Sequence, residues 1–135
     1  MPQPLRLAIN AYGRIGRCFL RALHESPCRD RLQVVAINEP AALESIVYLT
    51  RFDSTHGRFP GAVEVQGQNL LIDGEAISVS HETTPDTVDW QGLGIDLVVE
   101  CSGRYSDRAG LSRFLAAGVP RLLLSHPANS AADVD

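Results

Sequence analysis

LRLAINAYGRIGR, residues Leu5 to Arg17, opens with apolar side chains at alternate positions (Leu5, Leu7, Ile9) and breaks at Asn10-Ala11-Tyr12-Gly13. It resumes with helical spacing, because Ile15, Phe19, Ala22 and Leu23 fall on one face of a helix. A strand, a tight glycine turn and a helix N-terminus in direct succession build an anion site. The first amides of a helix have no intrahelical partner and point along the positive end of its dipole. This succession is the opening of a dinucleotide-binding βαβ unit.

The pattern G-x-G-x-x-G reads here as Ala11-Tyr12-Gly13-Arg14-Ile15-Gly16, with alanine in the first glycine place. Gly13 lets the backbone approach a pyrophosphate, and Gly16 lets the helix pack closely on the strand. If residue 11 takes a positive φ, its methyl costs roughly 1–2 kcal/mol. Asn10, Tyr12, Gly13, Arg14, Ile15 and Gly16 are the cofactor-binding candidates of this segment. A second strand, Gln33 to Ile37, ends at Asn38-Glu39. Glu39 lies about 23 residues beyond Gly16, close to the roughly 20-residue interval of a ribose-binding acid. A carboxylate there accepts hydrogen bonds from both adenosine ribose hydroxyls and repels a 2′-phosphate, so the expected cofactor is NAD rather than NADP. Glu39 can equally cap a helix starting near Pro40, and the two roles are compatible.

Further along, Ala41 to Arg51 reads as a second helix with Ala42, Ser45, Ile46 and Leu49 in register, and Asp53 to Gly57 as a polar loop. The period then changes to two. Ala62 to Val65, Asn69 to Ile72 and Ala76 to Ser80 are short strands of a meander, turned by Gly67 and by Asp73-Gly74. A helical turn near Asp86 to Trp90 precedes a buried strand, Leu97 to Cys101. Ser106 is placed to cap a helix over Asp107 to Ala117 with Leu111, Phe114 and Leu115 inward, ended by Gly118-Val119-Pro120. Arg121 to Leu124 is a further strand. Strands separated by helices of this length require a mostly parallel sheet with right-handed crossovers. The fold class is therefore α/β, a Rossmann-type doubly wound, mostly parallel sheet with a short antiparallel meander insertion.

Ligands of such sheets lie beyond the carboxyl ends of strands, where the winding reverses. Three strand ends converge there: Asn10 to Gly13, Cys101-Ser102-Gly103 and Ser125-His126-Pro127. Ser102 and Ser125 can also simply terminate strands by bonding nearby backbone.

The chain has 135 residues, 44% of them hydrophobic, and a formal charge of −4. That fits one domain with a sizeable core and gives no electrostatic case for nucleic acid or an anionic membrane. No stretch approaches the roughly 18–20 apolar residues of a membrane span, and no signal-peptide pattern opens the chain. Three cysteines without C-x-x-C spacing fit a reducing cytosol rather than a disulfide framework, so a cytoplasmic location is expected. Cys18 and Cys101 read as buried small hydrophobes and Cys28 as a turn residue. Cys18, His24 and Cys28 do not share metal-ligand spacing. Arg14, Arg17 and Arg21 read as phosphate-side or solvent-facing.

INAYGRIGR, VVAINE, FDSTHGRF (Phe52 to Phe59), WQGLGID (Trp90 to Asp96), VVECSGRY and LLSHPAN occur in this order. The set resembles the N-terminal half of enzymes of the glyceraldehyde-3-phosphate dehydrogenase family, over essentially the whole chain. Within that family, INE and SHP are more similar to the erythrose-4-phosphate branch than to the glycolytic one. The resemblance implies that Ser102, Gly103, Arg104 and Tyr105 pass along the dinucleotide and that Ser125 lies near the nicotinamide; Ser102, Gly103 and Ser125 join the cofactor-binding candidates. The family commonly has Glu-Arg beside the adenine, whereas this chain has His81-Glu82-Thr83-Thr84-Pro85, so stacking on a guanidinium is not available from residue 83. Asp53 to Gly57 is read as loop packing or a subunit contact rather than a His-Asp catalytic pair.

Enzymes of the family attack an aldehyde with a cysteine from a motif of the type S-C-T-T-N, and a histidine acts as base. Neither motif occurs here, and Cys101 precedes Ser-Gly. The expectation is an NAD-binding domain, residues 1–135, without its catalytic domain: no catalytic residue, no metal, and no turnover alone. A phosphosugar aldehyde would be a partner only of the complete enzyme. An unpaired edge at Arg121 to Leu124 favours self-association into homo-oligomers. NAD should bind weakly, led by its adenosine–pyrophosphate half. Two other readings stay open, a phosphorylating glycolytic enzyme and a free-standing dinucleotide-binding module without chemistry.

Overall fold

The computed structural model of the chain describes residues 4–53 and 57–125. The opening alternation becomes β1 (Leu5–Asn10), followed by α1 (Arg14–Glu25), β2 (Leu32–Asn38) and α2 (Leu43–Arg51). Two short strands, β3 (Phe52–Asp53) and β4 (Gly57–Arg58), pair antiparallel. Next come β5 (Val63–Gln66), β6 (Asn69–Ile72) and β7 (Glu75–Ser80), then β8 (Leu97–Glu100), α3 (Arg108–Ala116) and β9 (Leu122–Leu124). Seven strands form one sheet in the order β5-β6-β7-β2-β1-β8-β9. The run from β7 to β9 is parallel, and β5 and β6 add antiparallel at one edge. This is the doubly wound, Rossmann-type sheet with its meander. Asp73 (φ 50°) and Gly74 (φ 83°) both have positive φ, the requirement of the hairpin turn that an Asp-Gly pair favours.

From β1 the chain winds one way to β2 and later returns to the other side of β1 as β8. The reversal point therefore lies between the carboxyl ends of β1 and β8. The sheet carries a core on each face. Leu7 and Ile9 pack with Leu20, Ile37, Ile46 and Leu70 on one side. Ala8 packs with Ala36, Trp90, Val98 and Phe114 on the other. WQGLGID is thus a packing motif: Trp90 is fully buried, and Arg6 donates to the carbonyls of Leu93 and Gly94 at 2.9 Å each.

Register between β1 and β2 shifts at one place, with Leu7 opposite Val34 but Ala8 opposite Ala36. Val35 is the extra residue of a bulge, and Val35 and Ala36 both join the second core. Without it Asn10 would face Ile37; with it Asn10 faces Asn38. A bulge here re-aims a side chain at the end of the strand, and the consequence is felt at the site.

Several expected faces are corrected. Ile15 is 53% exposed and Ala22 is also on the surface, so α1 buries Gly16, Leu20 and Arg21, with Phe19 and Leu23 partly covered. In α2 the buried positions are Ile46, Val47 and Thr50, while Ala42, Ser45 and Leu49 face out. The cap of α3 is Asp107, whose carboxylate accepts from Gly110 N at 2.8 Å, not Ser106, and Leu115 is exposed. Arg21 is buried; its guanidinium donates to the carbonyls of Gly57 and Arg58 and lies 5.4 Å from the Phe59 ring centre. Cys18 and Cys101 are half-buried and Cys28 is exposed. His56, His126 and Pro127 lie outside the described residues. Among the described residues no helix is long and apolar enough to cross a membrane.

Candidate functional site

Three segments meet at the reversal point: the turn after β1, residues 38 to 40 after β2, and the loop after β8. Asn10, Ala11, Gly13, Glu39, Ser102 and Arg104 line the resulting open cleft, with Glu82, Thr83 and Thr84 closing its far side.

The turn is built for close approach. Ala11 takes φ 74°, the conformation in which a methyl costs roughly 1–2 kcal/mol. It is held there by its N–H, which donates to Asn38 O at 2.8 Å. Exchange of Ala11 for glycine should relieve that strain. The gain is partly offset by about 0.4–1 kcal/mol of extra unfolded-state entropy. Thermal denaturation of Ala11→Gly should therefore show a net stabilisation of about 0.5–1 kcal/mol. Gly13 is the N-cap of α1, with no side-chain cap and no acid in the first turn. A side chain built on it would meet nothing within 4 Å. The amides of Arg14, Ile15 and Gly16 thus head a helix without a side-chain cap, the kind of positive end at which anions bind. Gly16 is the opposite case: a Cβ there would lie 2.6 Å from Ala11 O and 3.0 Å from Ile9 Cγ2.

Tyr12 enters the site only through its backbone. Its ring is buried, and its hydroxyl lies 2.8 Å from Thr50 Oγ1, which itself donates to Ile46 O. Burial pushes the phenol up to about 12, against smaller opposing effects from Thr50, Arg17 and Arg21. A folded value above the unfolded one of 10.0 favours the fold fully below pH 10 and loses that contribution as pH rises towards 12. Alkaline unfolding should reveal this loss, and Tyr12→Phe should flatten the profile there. At neutral pH that substitution should cost about 1 kcal/mol for one hydrogen bond.

Glu39 ties the turn to the second segment. Its Oε1 accepts from Tyr12 N at 2.7 Å and its Oε2 from Ala41 N at 2.9 Å. The expected helix cap near Pro40 is not made: α2 begins at Leu43 with Ala42 as its N-cap and no side-chain cap bond, so Glu39 braces the segment leading into that helix instead. A carboxylate offers about four lone-pair positions, so each oxygen keeps one for a further donor.

Beneath the cleft runs a polar ladder that composition did not announce. Ser80 Oγ donates to Asn38 Oδ1 (2.8 Å), Asn38 Nδ2 to Asn10 Oδ1 (3.0 Å), and Asn10 Nδ2 to Glu100 Oε1 (3.0 Å). Glu100 Oε1 also accepts from Ser102 N at 3.0 Å. Asn38 further accepts from Glu82 N and donates to Glu82 O, both at 3.0 Å. Asn10, Asn38 and Glu100 are buried, where an unmade hydrogen bond would cost about 1–3 kcal/mol. The ladder therefore fixes both loops of the cleft relative to the strands. Ser80, Asn38 and Glu100 are the members that the linear pattern left out. The repeated Ile-Asn ending of β1 and β2 is the signal that points to Asn38.

Ser102 and Ser125 make local bonds. Ser102 Oγ accepts from Arg104 N at 3.1 Å, and Ser125 Oγ donates to Glu100 O at 2.9 Å. Gly103 has φ 73°, so the loop after β8 needs its glycine. The Cys101 thiol is pushed up, by burial first and by Glu100 in addition, which makes it a poor thiolate source.

An uncapped helix end, a bare glycine beside it, and a carboxylate at the end of the neighbouring strand fit a dinucleotide, and the fold and cleft define a dinucleotide-binding domain. Residues 5–108 match the family described as glyceraldehyde 3-phosphate dehydrogenase, NAD binding domain. The chain belongs to that family, as the dinucleotide-binding portion of one of its dehydrogenases, and its cofactor is NAD.

Proposed function

We propose that this chain is the NAD-binding domain of a cytoplasmic, self-associating phosphosugar aldehyde dehydrogenase. Its proposed substrate is D-erythrose 4-phosphate, oxidised to 4-phosphoerythronate for vitamin B6 synthesis. The observation that carries the reading is the Glu39 carboxylate, held at the cleft between the glycine turn and Ala41. Family membership supports the reaction class. Asn38-Glu39 and Ser125-His126-Pro127 support the substrate by their likeness to the erythrose-4-phosphate branch.

In this reading the amides of Arg14, Ile15 and Gly16 take the pyrophosphate and Glu39 the adenosine ribose. Asn10, Ser102, Gly103 and Ser125 flank the nicotinamide half. Bound NAD supplies the hydride acceptor. The Cys101 thiol is pushed up by burial and the family's S-C-T-T-N motif does not occur in this sequence, so the attacking cysteine and its histidine are assigned to a catalytic domain outside these residues. Water, rather than phosphate, then releases the acid from the enzyme thioester.

The test is oxidation of erythrose 4-phosphate by the native protein, with and without inorganic phosphate. Turnover that needs no phosphate supports the reading. Turnover of glyceraldehyde 3-phosphate that requires phosphate would assign the glycolytic reaction instead.

A further inference from the structure

His81 follows β7 and is exposed, yet its ring is committed. Its Nδ1 lies 2.9 Å from Glu39 O and 2.8 Å from Ala41 O. Both partners are carbonyl oxygens and only accept, so Nδ1 carries the hydrogen and donates to both, and the tautomer follows from the contacts. The two carbonyls flank Pro40, which has no N–H of its own to anchor the segment. The neighbours of His81 grip the same stretch: Glu39 N donates to Ser80 O at 2.9 Å, and Glu82 exchanges two bonds with Asn38. Residues 80 to 82 thus form a clasp on residues 38 to 41. The carboxylate it holds is the one that meets Tyr12 N and Ala41 N.

We propose that His81 is a positioning residue for cofactor selectivity: its Nδ1–H gathers the Glu39 and Ala41 carbonyls and thereby fixes where the Glu39 carboxylate stands in the cleft. A misplaced anion neither matches the two ribose hydroxyls, whose bonds need contact distance, nor repels a 2′-phosphate at full strength, because the repulsion weakens as the separation grows. The inference rests on the proposed ribose-binding role of Glu39 and deepens it.

The experiment titrates NAD and NADP into the full chain by calorimetry, comparing the wild type with His81→Ala, His81→Asn and Glu39→Gln. An asparagine amide places a donor close to where imidazole Nδ1 stands, so it tests the bond and not the ring. His81→Ala should reduce the NAD-to-NADP affinity ratio about tenfold, which corresponds to about 1.4 kcal/mol, while the unfolding temperature stays within a few degrees of wild type. His81→Asn should restore most of the ratio. An unchanged ratio in His81→Ala, beside a collapsed one in Glu39→Gln, would overturn the role of His81 and leave that of Glu39 standing. A low ratio in both His81 variants would also overturn it, since the donor would then not be what matters. An unchanged ratio in Glu39→Gln would sink the ribose-binding reading itself.

Discussion

Gly16→Val is expected to cost about 3 kcal/mol or more of stability and to remove measurable NAD binding. A Cβ at this position would stand 2.6 Å from a backbone carbonyl and 3.0 Å from a core methyl, and valine adds two further carbons in a restricted rotamer. Ala11 O cannot yield easily. Ala11 already sits at φ 74°, its N–H is bonded to Asn38 O, and the next amide is bonded to Glu39. The strain must instead move α1 away from β1, which opens the contacts of Leu20 and Ile9. Overpacking of this kind typically costs 1–3 kcal/mol and occasionally more. The same displacement re-aims the amides of Arg14, Ile15 and Gly16, so binding fails before the fold does. Chemical denaturation and NAD titration of the variant check both halves. Gly16→Ala should fall between, because alanine recovers up to about 1 kcal/mol of helix propensity. Wild-type stability and affinity in Gly16→Val would mean that the turn is not the rigid cradle described above.

The parts of this site that were legible in the sequence are those written by backbone conformation and by local period. Gly13, Gly16 and Glu39 each announce themselves because a turn, a close contact and a strand end need particular residues at particular separations. The meander is legible for the same reason, through Asp73-Gly74. What escaped were features decided by partners distant in sequence. Arg21 reads as solvent-facing on a helical wheel but is buried, because the carbonyls of Gly57 and Arg58 and the Phe59 ring satisfy it. Ile15 reads as core, yet it is 53% exposed, because Gly16 rather than Ile15 is the residue of the first turn that meets β1. The bulge at Val35 leaves no mark in an apolar run, although it alone puts Asn38 opposite Asn10. Glu100 lies inside the expected strand Leu97 to Cys101 with nothing to mark its role, yet it is fully buried, accepting from Asn10 and Ser102. Local choices of this kind compete between equal candidates as well: Asp107 captures the cap of α3 although Ser106 is also a capping residue, since its carboxylate reaches Gly110 N.

Glu39→Gln should lower the NAD-to-NADP affinity ratio by about 30- to 100-fold, mostly by admitting NADP. Two contributions separate in this substitution. Loss of the negative charge removes repulsion of a 2′-phosphate. At a separation of 4 Å and an effective dielectric of about 20 that interaction is about 4 kcal/mol per charge pair before screening, and the half-exposed position of Glu39 reduces it. Loss of one acceptor oxygen breaks the bond to Tyr12 N or to Ala41 N, since the new amide nitrogen can only donate. That second loss loosens the glycine turn and should weaken NAD itself by about tenfold, in line with a hydrogen bond to a charged group at about 1.5–3 kcal/mol. The two are distinguishable by salt. Discrimination that arises from charge must shrink in the wild type as ionic strength rises, and must be nearly salt-independent in Glu39→Gln. The tenfold loss of NAD affinity, being geometric, should persist at every salt concentration. A wild-type ratio indifferent to salt would place the rejection of NADP in the shape of the cleft instead, with Thr83 and Thr84 on its far wall the next residues to exchange.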